Sequence, residues 1–331
     1  MKHHFADFAT DIITKGFVKD ESSFIVELGS NDGIFLTHFA QRGISHLGVE
    51  PSGVVADVAE SQGITVTREF FDSSLAQAIV AQYGQADVVS AANVMCHIPD
   101  IMELARGIES LLKDDGVLIF EDPYLGEIVR LTSYDQIYDE HVFLFSALAV
   151  QSIFETVGMQ LIDLEPQSTH GGSMRYTLAK FGRRAVAPAV QEILNQEVAQ
   201  GLDKTETFAK FSRRVKESGS ALRNMIQDLK GQGHTVAAFG ATSKSTTVYN
   251  YAGIGSDLLD YICDNTPFKQ GKFSPGAHIP IFPENHFREA TPDYAFLAAW
   301  NHEKEVRDNN KAFEELGGRW ITHVPKVHFL N

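Results

Sequence analysis

Cysteine is scarce in this sequence. Its 331 residues include only two, Cys96 and Cys263, which lie far apart, and no group of cysteines and histidines has the spacing of a zinc site. We therefore expect no bound metal, no structural disulfide and a cytoplasmic location. Long apolar runs are missing too: none approaches the roughly 18 residues of a membrane span. The N-terminus does not resemble a signal peptide.

Positive charge is also in short supply. Lysine and arginine total 28 against 43 acidic residues, which leaves a formal net charge of −15. Nucleic acids are bound through clustered cations, so this balance argues against a nucleic-acid surface. We expect no membrane partner either, but a small-molecule ligand that is met locally by a few cations or helix N-termini. The length and the 44% hydrophobic content predict about two domains with a sizeable core. The oligomeric state, monomer or dimer, is left open.

The G-x-G-x-x-G fingerprint of dinucleotide oxidoreductases is absent from the first strand–turn–helix pattern. An apolar strand beginning at Phe24 leads instead into the turn Gly29-Ser-Asn-Asp-Gly33, and Glu50 ends the next strand about 20 residues later. This E-x-G-x-x-x-G form is typical of S-adenosylmethionine (SAM) methyltransferases, with Glu50 accepting hydrogen bonds from ribose hydroxyls. The alternative is a tight turn without a ligand. The predicted cofactor-binding residues are Glu27, Gly29, Asn31, Asp32, Gly33, Glu50, Phe71 and Asn93.

Strand and helix patterns alternate regularly along the first half of the chain, which predicts a doubly wound, mostly parallel α/β sheet. Residues 158–164 and 173–179 are joined by a short loop containing Gly171-Gly172 and form a predicted hairpin, so the last strand should be antiparallel. This pattern is that of a class I SAM-methyltransferase Rossmann-like domain, which we place at residues 1–182.

The remainder of the chain divides into a helical segment and a second α/β region. Residues 183–231 are amphipathic and charged, which predicts a helical connector. The strand–glycine–helix pattern at Thr235–Thr246 begins a smaller Rossmann-like domain, placed at 232–331. Its turn after Gly240 offers backbone N–H groups and Lys244 to a phosphate, although it lacks the P-loop spacing. A helix N-terminus with a solvated lysine is the alternative.

The segment Tyr134–His141 is unusually rich in reactive groups, with two tyrosines, three carboxylates and one histidine. If it is helical, Tyr134, Tyr138 and His141 share one face, an arrangement suited to moving protons and unnecessary on an exposed helix. His97 follows the fourth predicted strand. We expect His97 and this segment at the carboxyl edge of the first sheet, where ligands bind. A buried structural histidine is the alternative for His97.

Several motifs together resemble those of the nucleotide-sugar C-methyltransferases, which methylate a carbon of NDP-4-keto-deoxyhexoses in antibiotic- and glycan-sugar biosynthesis. The resemblance covers nearly the whole chain, and its Tyr-Asp-Glu-His segment is specific to that family. Family members usually begin with a zinc-binding domain, and Met1 falls about where that domain would end, so we expect a natural short form or a trimmed chain. The matching segments are Val26–Leu36, Asn93–Asp100, Tyr134–His141, His170–Arg175, Phe239–Lys244, Thr266–Lys272 and His278–Ile281.

The resemblance implies SAM as the cofactor and a histidine as the base. It assigns to His141 the removal of the proton next to the sugar ketone, with Tyr138 and Glu140 around it and His97 nearby. The resulting enolate attacks the SAM methyl group. A carboxylate such as Glu140 is expected to orient the imidazole. Whether Tyr138 or His97 donates to the enolate oxygen is left open.

The substrate contacts are less specific. His170, Arg175 and Lys244 are the candidates, because the first two lie at or just after the hairpin loop and the third lies in the second glycine turn. An O-methyltransferase of a sugar or small metabolite and a non-catalytic SAM-binding protein are the alternative functions. Three acidic residues are expected to be solvated or to cap helices, namely Asp135, Asp139 and Glu127.

Overall fold

The protein, seen in a computed structural model that describes residues 2–330, comprises two compact units, each built on its own sheet. Both units draw on separated parts of the chain. The first unit contains the chain up to Tyr124 together with Val142–Ser168 and Ser173–Asp203, and the second contains Leu125–His141, Thr169–Gly172 and the chain from Lys204 onward.

The first unit contains a seven-stranded sheet with the strand order β3-β2-β1-β4-β5-β7-β6. Neighbouring strands are parallel except for β7, which runs antiparallel to both β5 and β6. The predicted antiparallel last strand is therefore confirmed. Strands β1 to β7 are Phe24–Leu28, Ser45–Val49, Val66–Thr67, Ala86–Ala92, Leu112–Pro123, Met159–Gln167 and Ser173–Lys180.

Helices cover this sheet on both faces. Along β1, Val26 and Leu28 belong to one hydrophobic cluster and Ile25 to another, as expected when successive side chains of a strand point to opposite faces. A helix also precedes β1 at the N-terminus. The helices up to β7 are α1 (Lys2–Thr14), α2 (Thr37–Ala40), α3 (Gly53–Ser61), α4 (Ser73–Tyr83), α5 (Ile101–Leu111), α6 (Leu125–Leu131, part of the second unit) and α7 (Ala147–Glu155).

The helix α8, Pro188–Gln200, belongs to the first unit, although the sequence pattern assigned it to a connector. Its Glu197 is fully buried and explains this placement. The carboxylate accepts hydrogen bonds from the hydroxyl of Tyr124 (2.8 Å) and from the backbone N–H groups of Ala147 (2.7 Å) and Leu148 (2.9 Å). The last two are donors at the N-terminus of α7 that lack intrahelical partners. A single buried carboxylate thus joins α8 to α7 and to the segment after β5.

The second unit contains a six-stranded sheet with the order β10-β9-β8-β11-β12-β13, parallel except for β13 against β12. A long helix, α9 (Thr205–Gly231), precedes it. The final strand, only two residues long, had no recognisable sequence signal. Strands β8 to β13 are Val236–Phe239, Ile262–Cys263, Ile281–Phe282, Tyr294–Leu297, Arg319–Thr322 and His328–Phe329, and helices α10 to α13 are Ser243–Ala252, Glu284–Glu289, Glu303–Asn309 and Lys311–Glu315.

The segment Tyr134–His141 is not a helix, so the prediction of three reactive side chains on one helical face is wrong. It begins with a single 3-10 turn, Tyr134–Gln136, whose three side chains are all buried. Tyr138 and His141 lie in an irregular stretch closed by a hydrogen bond from the N–H of His141 to the carbonyl of Tyr138 (2.9 Å). Burial of three consecutive side chains is incompatible with an amphipathic helix. No helix within residues 2–330 is long and apolar enough to cross a membrane.

The role of Glu197 predicts a specific stability loss. Glu197→Ala leaves a buried hydroxyl and two buried N–H groups without their acceptor, so we expect the free energy of unfolding to fall by about 3 kcal/mol. Urea unfolding measures it. Glu192→Ala, at an exposed position of the same helix, is the control and should change stability by less than about 0.5 kcal/mol. Equal effects of the two substitutions would contradict the assignment.

Candidate active site

The turn after β1 requires glycine at both of its ends. Gly29 and Gly33 have left-handed backbones, with φ of 65° and 78°. A Cβ atom on Gly29 would lie 2.4 Å from Cγ2 of Val94, and one on Gly33 would lie 2.8 Å from Cγ1 of Ile64. No side chain fits at either position. The backbone therefore turns tightly at the carboxyl end of β1, as the glycine spacing predicted.

Glu50 directly follows β2, and its carboxylate holds the same turn. It accepts hydrogen bonds from the N–H of Asn31 (3.0 Å) and from that of Ser52 (2.8 Å), one on each oxygen. Each carboxylate oxygen has a second lone pair, so the group retains capacity to accept from a ligand. The side-chain oxygen of Asn31 in turn accepts from the N–H of Asp32 (2.8 Å). Hydrogen bonds of Glu50 thus connect the turn after β1 to the segment after β2.

Glu27, on β1, has a buried carboxyl group whose Oε2 makes no hydrogen bond within residues 2–330. Burial raises the pKa of this carboxyl well above its usual range, and the nearby carboxylates of Asp32 and Glu50 raise it further. Three acidic groups therefore gather at the ends of β1 and β2. An unused buried acceptor and a local excess of negative charge suit a cationic ligand, and the ammonium and sulfonium groups of SAM fit that description.

The remaining predicted residues of the first unit follow β3 and β4. Asn93 has a left-handed backbone (φ 57°) and donates its N–H to the carbonyl of Glu121 (2.7 Å). Phe71 is half-buried and packs against the same hydrophobic cluster as Val26 and Leu28. His97, also half-buried, ends the 3-10 turn Met95–His97. Because β1, β2 and β4 are parallel neighbours, the segments after these strands share one edge of the sheet.

His141, in the second unit, has a defined tautomer. Its Nδ1 lies 2.8 Å from the backbone carbonyl oxygen of Gln136. A carbonyl can only accept, so Nδ1 carries the hydrogen, and the basic lone pair of the neutral ring is on Nε2. The ring of Tyr138 packs on the imidazole, with 4.0 Å between ring centroids and 34° between planes. The backbone carbonyl of Gln136 thus orients the ring through Nδ1, and Glu140, for which an orienting role was also expected, is an exposed residue.

A cleft of about 570 Å³ lies within the second unit and reaches this segment. One side is formed by Tyr138, Asp139 and Glu140, and another by the N-terminus of α10. That N-terminus has a capping box, in which Thr242 and Ser245 each accept a hydrogen bond from the other's backbone N–H (3.0 and 2.8 Å). The lining also contains two lysines, which could pair with an anion, and two exposed phenylalanines, which could stack on a flat ring. They are Lys269, Lys272, Phe268 and Phe273.

Two of the three predicted substrate residues have other partners. The ammonium of Lys244 donates to the carbonyl of His170 (3.0 Å), and burial lowers its pKa although Asp135 opposes this. Arg175 is 5% exposed and pairs with Glu121 (2.5 Å) and Asp11 (3.0 Å). Neither cation lines the cleft, so we leave both out of the proposed substrate contacts. His170 contributes its carbonyl as the acceptor for Lys244.

The expectation that Asp135 is solvated or caps a helix is wrong. Its side chain is fully buried and accepts a hydrogen bond from Nε1 of Trp300 (2.8 Å). Burial opposes ionisation, but His323, Lys244 and Trp300 outweigh it and lower the pKa of the carboxyl. Asp139 is exposed, as expected, and Glu127 pairs with Arg130 on α6.

Asp122, near the end of β5, was not singled out from the sequence. It is fully buried, and neither carboxyl oxygen makes a hydrogen bond to any of residues 2–330. Burial raises its pKa to about 7, although the adjacent Cys96 thiol partly opposes the shift. The sequence does contain a pattern that indicates Asp122. Two acidic residues, Glu121 and Asp122, directly follow the apolar run Val117–Phe120, at the end of the strand where ligands bind.

This raised pKa predicts a pH-dependent stability. The unfolded carboxyl ionises near its ordinary value of 3.8 while the folded one keeps its proton to about 7, so the wild type loses stability as the pH rises between these values. Asp122→Asn removes that loss. We expect its stability relative to wild type to increase by about 4 kcal/mol from pH 4 to pH 8. Urea unfolding at both pH values tests this, with the exposed Asp7→Asn as control. A constant difference would refute it.

Comparison with known protein families identifies both parts of the chain. A methyltransferase domain matches residues 1–164, and a C-methyltransferase C-terminal domain matches residues 168–325. The chain is 34% identical to the C-methyltransferase NovU of Streptomyces niveus over 312 residues, which are 94% of this chain and 74% of that protein. It is 28% identical over 102 residues to a ubiquinone biosynthesis O-methyltransferase of Actinobacillus pleuropneumoniae serotype 7 (29% of this chain, 44% of that protein).

Solved structures give weaker matches. The magnesium protoporphyrin IX methyltransferase of Synechocystis PCC 6803 with bound SAM has a TM-score of 0.40 and 14% identity, covering 54% of this chain and 79% of that one. A SAM-dependent methyltransferase of Anabaena variabilis has a TM-score of 0.42 and 13% identity, covering 52% and 83%. The class I SAM-methyltransferase fold of the first unit is established by its strand order and its family match.

The two family matches cover nearly the whole chain, and the similarity to a C-methyltransferase extends through both units at 34% identity. The protein is thus an enzyme that transfers a methyl group from SAM. The chain belongs to the family of SAM-dependent C-methyltransferases.

Proposed function

We propose that this C-methyltransferase acts on a nucleotide-linked 4-keto-deoxy sugar, as a step in deoxysugar biosynthesis, with His141 as the general base. The observation that carries the proposal is the hydrogen bond from Nδ1 of His141 to the carbonyl of Gln136. It makes Nε2 the basic nitrogen of the imidazole, and the three preceding residues, Tyr138 to Glu140, line a substrate-sized cleft. A neutral imidazole has a basicity suited to accepting a proton near neutral pH.

Carbon methylation places specific demands on the substrate and on the base. A sugar C–H group is acidic enough for removal only next to a ketone, so the substrate must carry one. His141 takes that proton on Nε2, and a donor must stabilise the oxygen of the resulting enolate. Of the two predicted donors, Tyr138 packs directly on the His141 ring and is our choice, while His97 remains a candidate from the first unit.

The first unit is proposed to hold SAM, which supplies an electrophilic methyl group when it is bound. Glu50 would accept from the ribose hydroxyls with its remaining lone pairs, and the acidic group around Glu27 would balance the positive charge of the cofactor. Asn31 and Asp32 would bind the amino and carboxylate groups of the methionine part. Phe71 and Asn93 complete the proposed cofactor-binding set.

The cleft of the second unit is proposed to hold the nucleotide. The N-terminus of the ten-residue helix α10 offers backbone N–H groups and a positive dipole end to a diphosphate. Lys272 is the exposed cation of the lining, while the ammonium of Lys269 donates to the carbonyl of Ala241 (2.7 Å). Phe268 and Phe273 offer aromatic surfaces to a base. This arrangement meets an anionic ligand locally, which a chain of net charge −15 requires.

Deuterium exchange tests the base without methyl transfer. In deuterium oxide, with S-adenosylhomocysteine and a panel of 4-keto-deoxy sugar nucleotides, we expect label at the carbon next to the ketone. His141→Ala should slow this exchange at least about 100-fold, because the base is lost. Binding of SAM, measured by calorimetry, should be unchanged, because the first unit is intact.

His3→Ala, which removes an exposed histidine, serves as the control and should exchange normally. Exchange by His141→Ala at the wild-type rate would eliminate His141 as the base. The absence of exchange with every 4-keto sugar, together with methylation of a hydroxyl, would replace the proposal with O-methylation, which leaves C–H bonds untouched.

Glu50 provides a test of the cofactor site. Glu50→Gln keeps one acceptor oxygen for the backbone but removes the charge, so we expect the Kd for SAM to rise about tenfold through loss of charge-assisted hydrogen bonds. Calorimetric titration with SAM measures this. Glu192→Gln on the exposed face of α8 makes the same chemical change away from the site and should bind normally. Equal affinities would remove Glu50 from the cofactor site.

A further inference from the structure

The 3-10 turn Tyr134–Gln136 is unusually deep in the second unit for so short a connecting element. Its three side chains are 2%, 0% and 1% exposed. Short connections normally run over the surface, because their backbone groups need water or other partners. Here the turn carries a carboxylate, that of Asp135, into the interior. The contacts of that carboxylate explain why the turn is held there.

Two neighbouring strands of the second sheet hold the carboxylate of Asp135. Trp300 lies in the short turn that follows β11, and its Nε1 donates a hydrogen bond to one oxygen of Asp135 at 2.8 Å. The other lies 3.5 Å from Nε2 of His323, which directly follows β12 and is also fully buried. Because β11 and β12 are parallel neighbours, their carboxyl ends together fix the position of Asp135.

The next residue, Gln136, is held independently. Its side-chain amide donates a short hydrogen bond to the carbonyl of His170, and the ammonium of Lys244 donates to the same carbonyl at 3.0 Å. Gly171, which follows His170, packs so closely on Trp300 that a Cβ atom would lie 2.3 Å from the indole ring. Asp135 and Gln136 are thus parts of one packed polar assembly on the second unit.

The backbone carbonyl of Gln136 belongs to the residue whose side chain is held in this way. This carbonyl accepts from Nδ1 of His141 at 2.8 Å and thereby sets the tautomer of the ring. If it rotated away, the Nδ1 hydrogen would lose this acceptor, and the preference of the neutral ring for hydrogen on Nδ1 would weaken. Orientation of the imidazole therefore depends on a peptide unit that the buried assembly immobilises.

Stability alone does not account for the buried charge. Hydrophobic residues of similar volume often replace a buried ion pair at no loss of stability, because desolvation offsets much of the Coulomb attraction. Asp135 is nevertheless fully buried, and His323, Lys244 and Trp300 favour its ionised form over the effect of burial. A buried carboxylate next to the peptide that orients a base is better explained by a positioning role.

We propose that Asp135, held by Trp300 and His323, is a positioning residue that fixes the Gln136 carbonyl, so that His141 keeps its hydrogen on Nδ1 and presents Nε2. The proposal assigns a role to residues from the ends of β11 and β12, which no predicted site residue represents. It rests on the proposed function in that His141 is taken as the base. The orientation of the ring can, however, be measured without any substrate.

The test is nitrogen-15 NMR of the histidine rings in the full-length protein, with His141 assigned by comparison with His141→Gln. The wild type should show one tautomer, with hydrogen on Nδ1. Asp135→Asn keeps an acceptor for Trp300 and removes the charge, and we expect mixed tautomers at His141. In steady-state kinetics kcat should fall about tenfold, while the KM values for SAM and the sugar nucleotide stay unchanged.

Trp300→Phe is the second variant, because it removes one donor without placing a new polar group in the interior. It should shift the tautomer in the same direction, and it therefore keeps the test possible if Asp135→Asn does not fold. The exposed Asp257→Asn, in the same unit, is the control and should leave the His141 signals unchanged. An unchanged tautomer in the folded variants would overturn the positioning role, even if stability falls. If the variants shift the tautomer as expected but the wild type exchanges no deuterium, only the proposed function is overturned.

Discussion

One hydrogen bond, from Nδ1 of His141 to the backbone carbonyl of Gln136, places the hydrogen of the neutral ring on Nδ1. The catalytic role proposed for Nε2 depends on it. The acceptor is a peptide group, which does not titrate and therefore holds the same tautomer over a wide pH range. A carboxylate partner such as Glu140 would make the orientation depend on its own protonation. The surrounding packing of Tyr138 and the buried turn supports this one interaction.

The charged groups near the two proposed ligand sites differ. At the end of the first sheet, the carboxylates of Asp32 and Glu50 lie near the buried carboxyl of Glu27, whose pKa is raised well above its usual range, and the two carboxylates favour a cationic cofactor. In the second unit, the N-terminus of α10 with Lys269 and Lys272 favours an anion in the cleft, and Asp139 and Glu140 on its other side oppose this. A net charge of −15 does not predict this division, since it reports only the sum. The division suits an enzyme that takes one cationic and one anionic small molecule.

Local patterns in the sequence predicted most of the architecture. Glycine spacing at Gly29 and Gly33, the acid after β2 and the Gly171-Gly172 hairpin all depend on short-range backbone geometry, and each prediction of structure based on them is confirmed. Errors arose where long-range packing decides. The side chains of Tyr134–Gln136 are buried by contacts with residues more than 100 positions away, such as Trp300 and His323. The spacing of residues within the segment does not report such contacts, so the prediction of a helix based on it was wrong. Glu197 was missed for the same reason, since its partners lie 49 to 73 positions earlier.

The buried carboxyl groups of this chain differ in how completely they are hydrogen-bonded. Glu197 has three donors, and Glu121 has Arg175 and His4, so each has the partners that folding alone requires. Glu27 and Asp122, in contrast, have oxygens without a partner among residues 2–330, at the edge of the sheet where ligands bind. An unsatisfied buried acceptor lowers stability unless a ligand completes it. Glu27, a member of the proposed cofactor-binding set, therefore lowers the stability of the first unit until a ligand donates to its free oxygen.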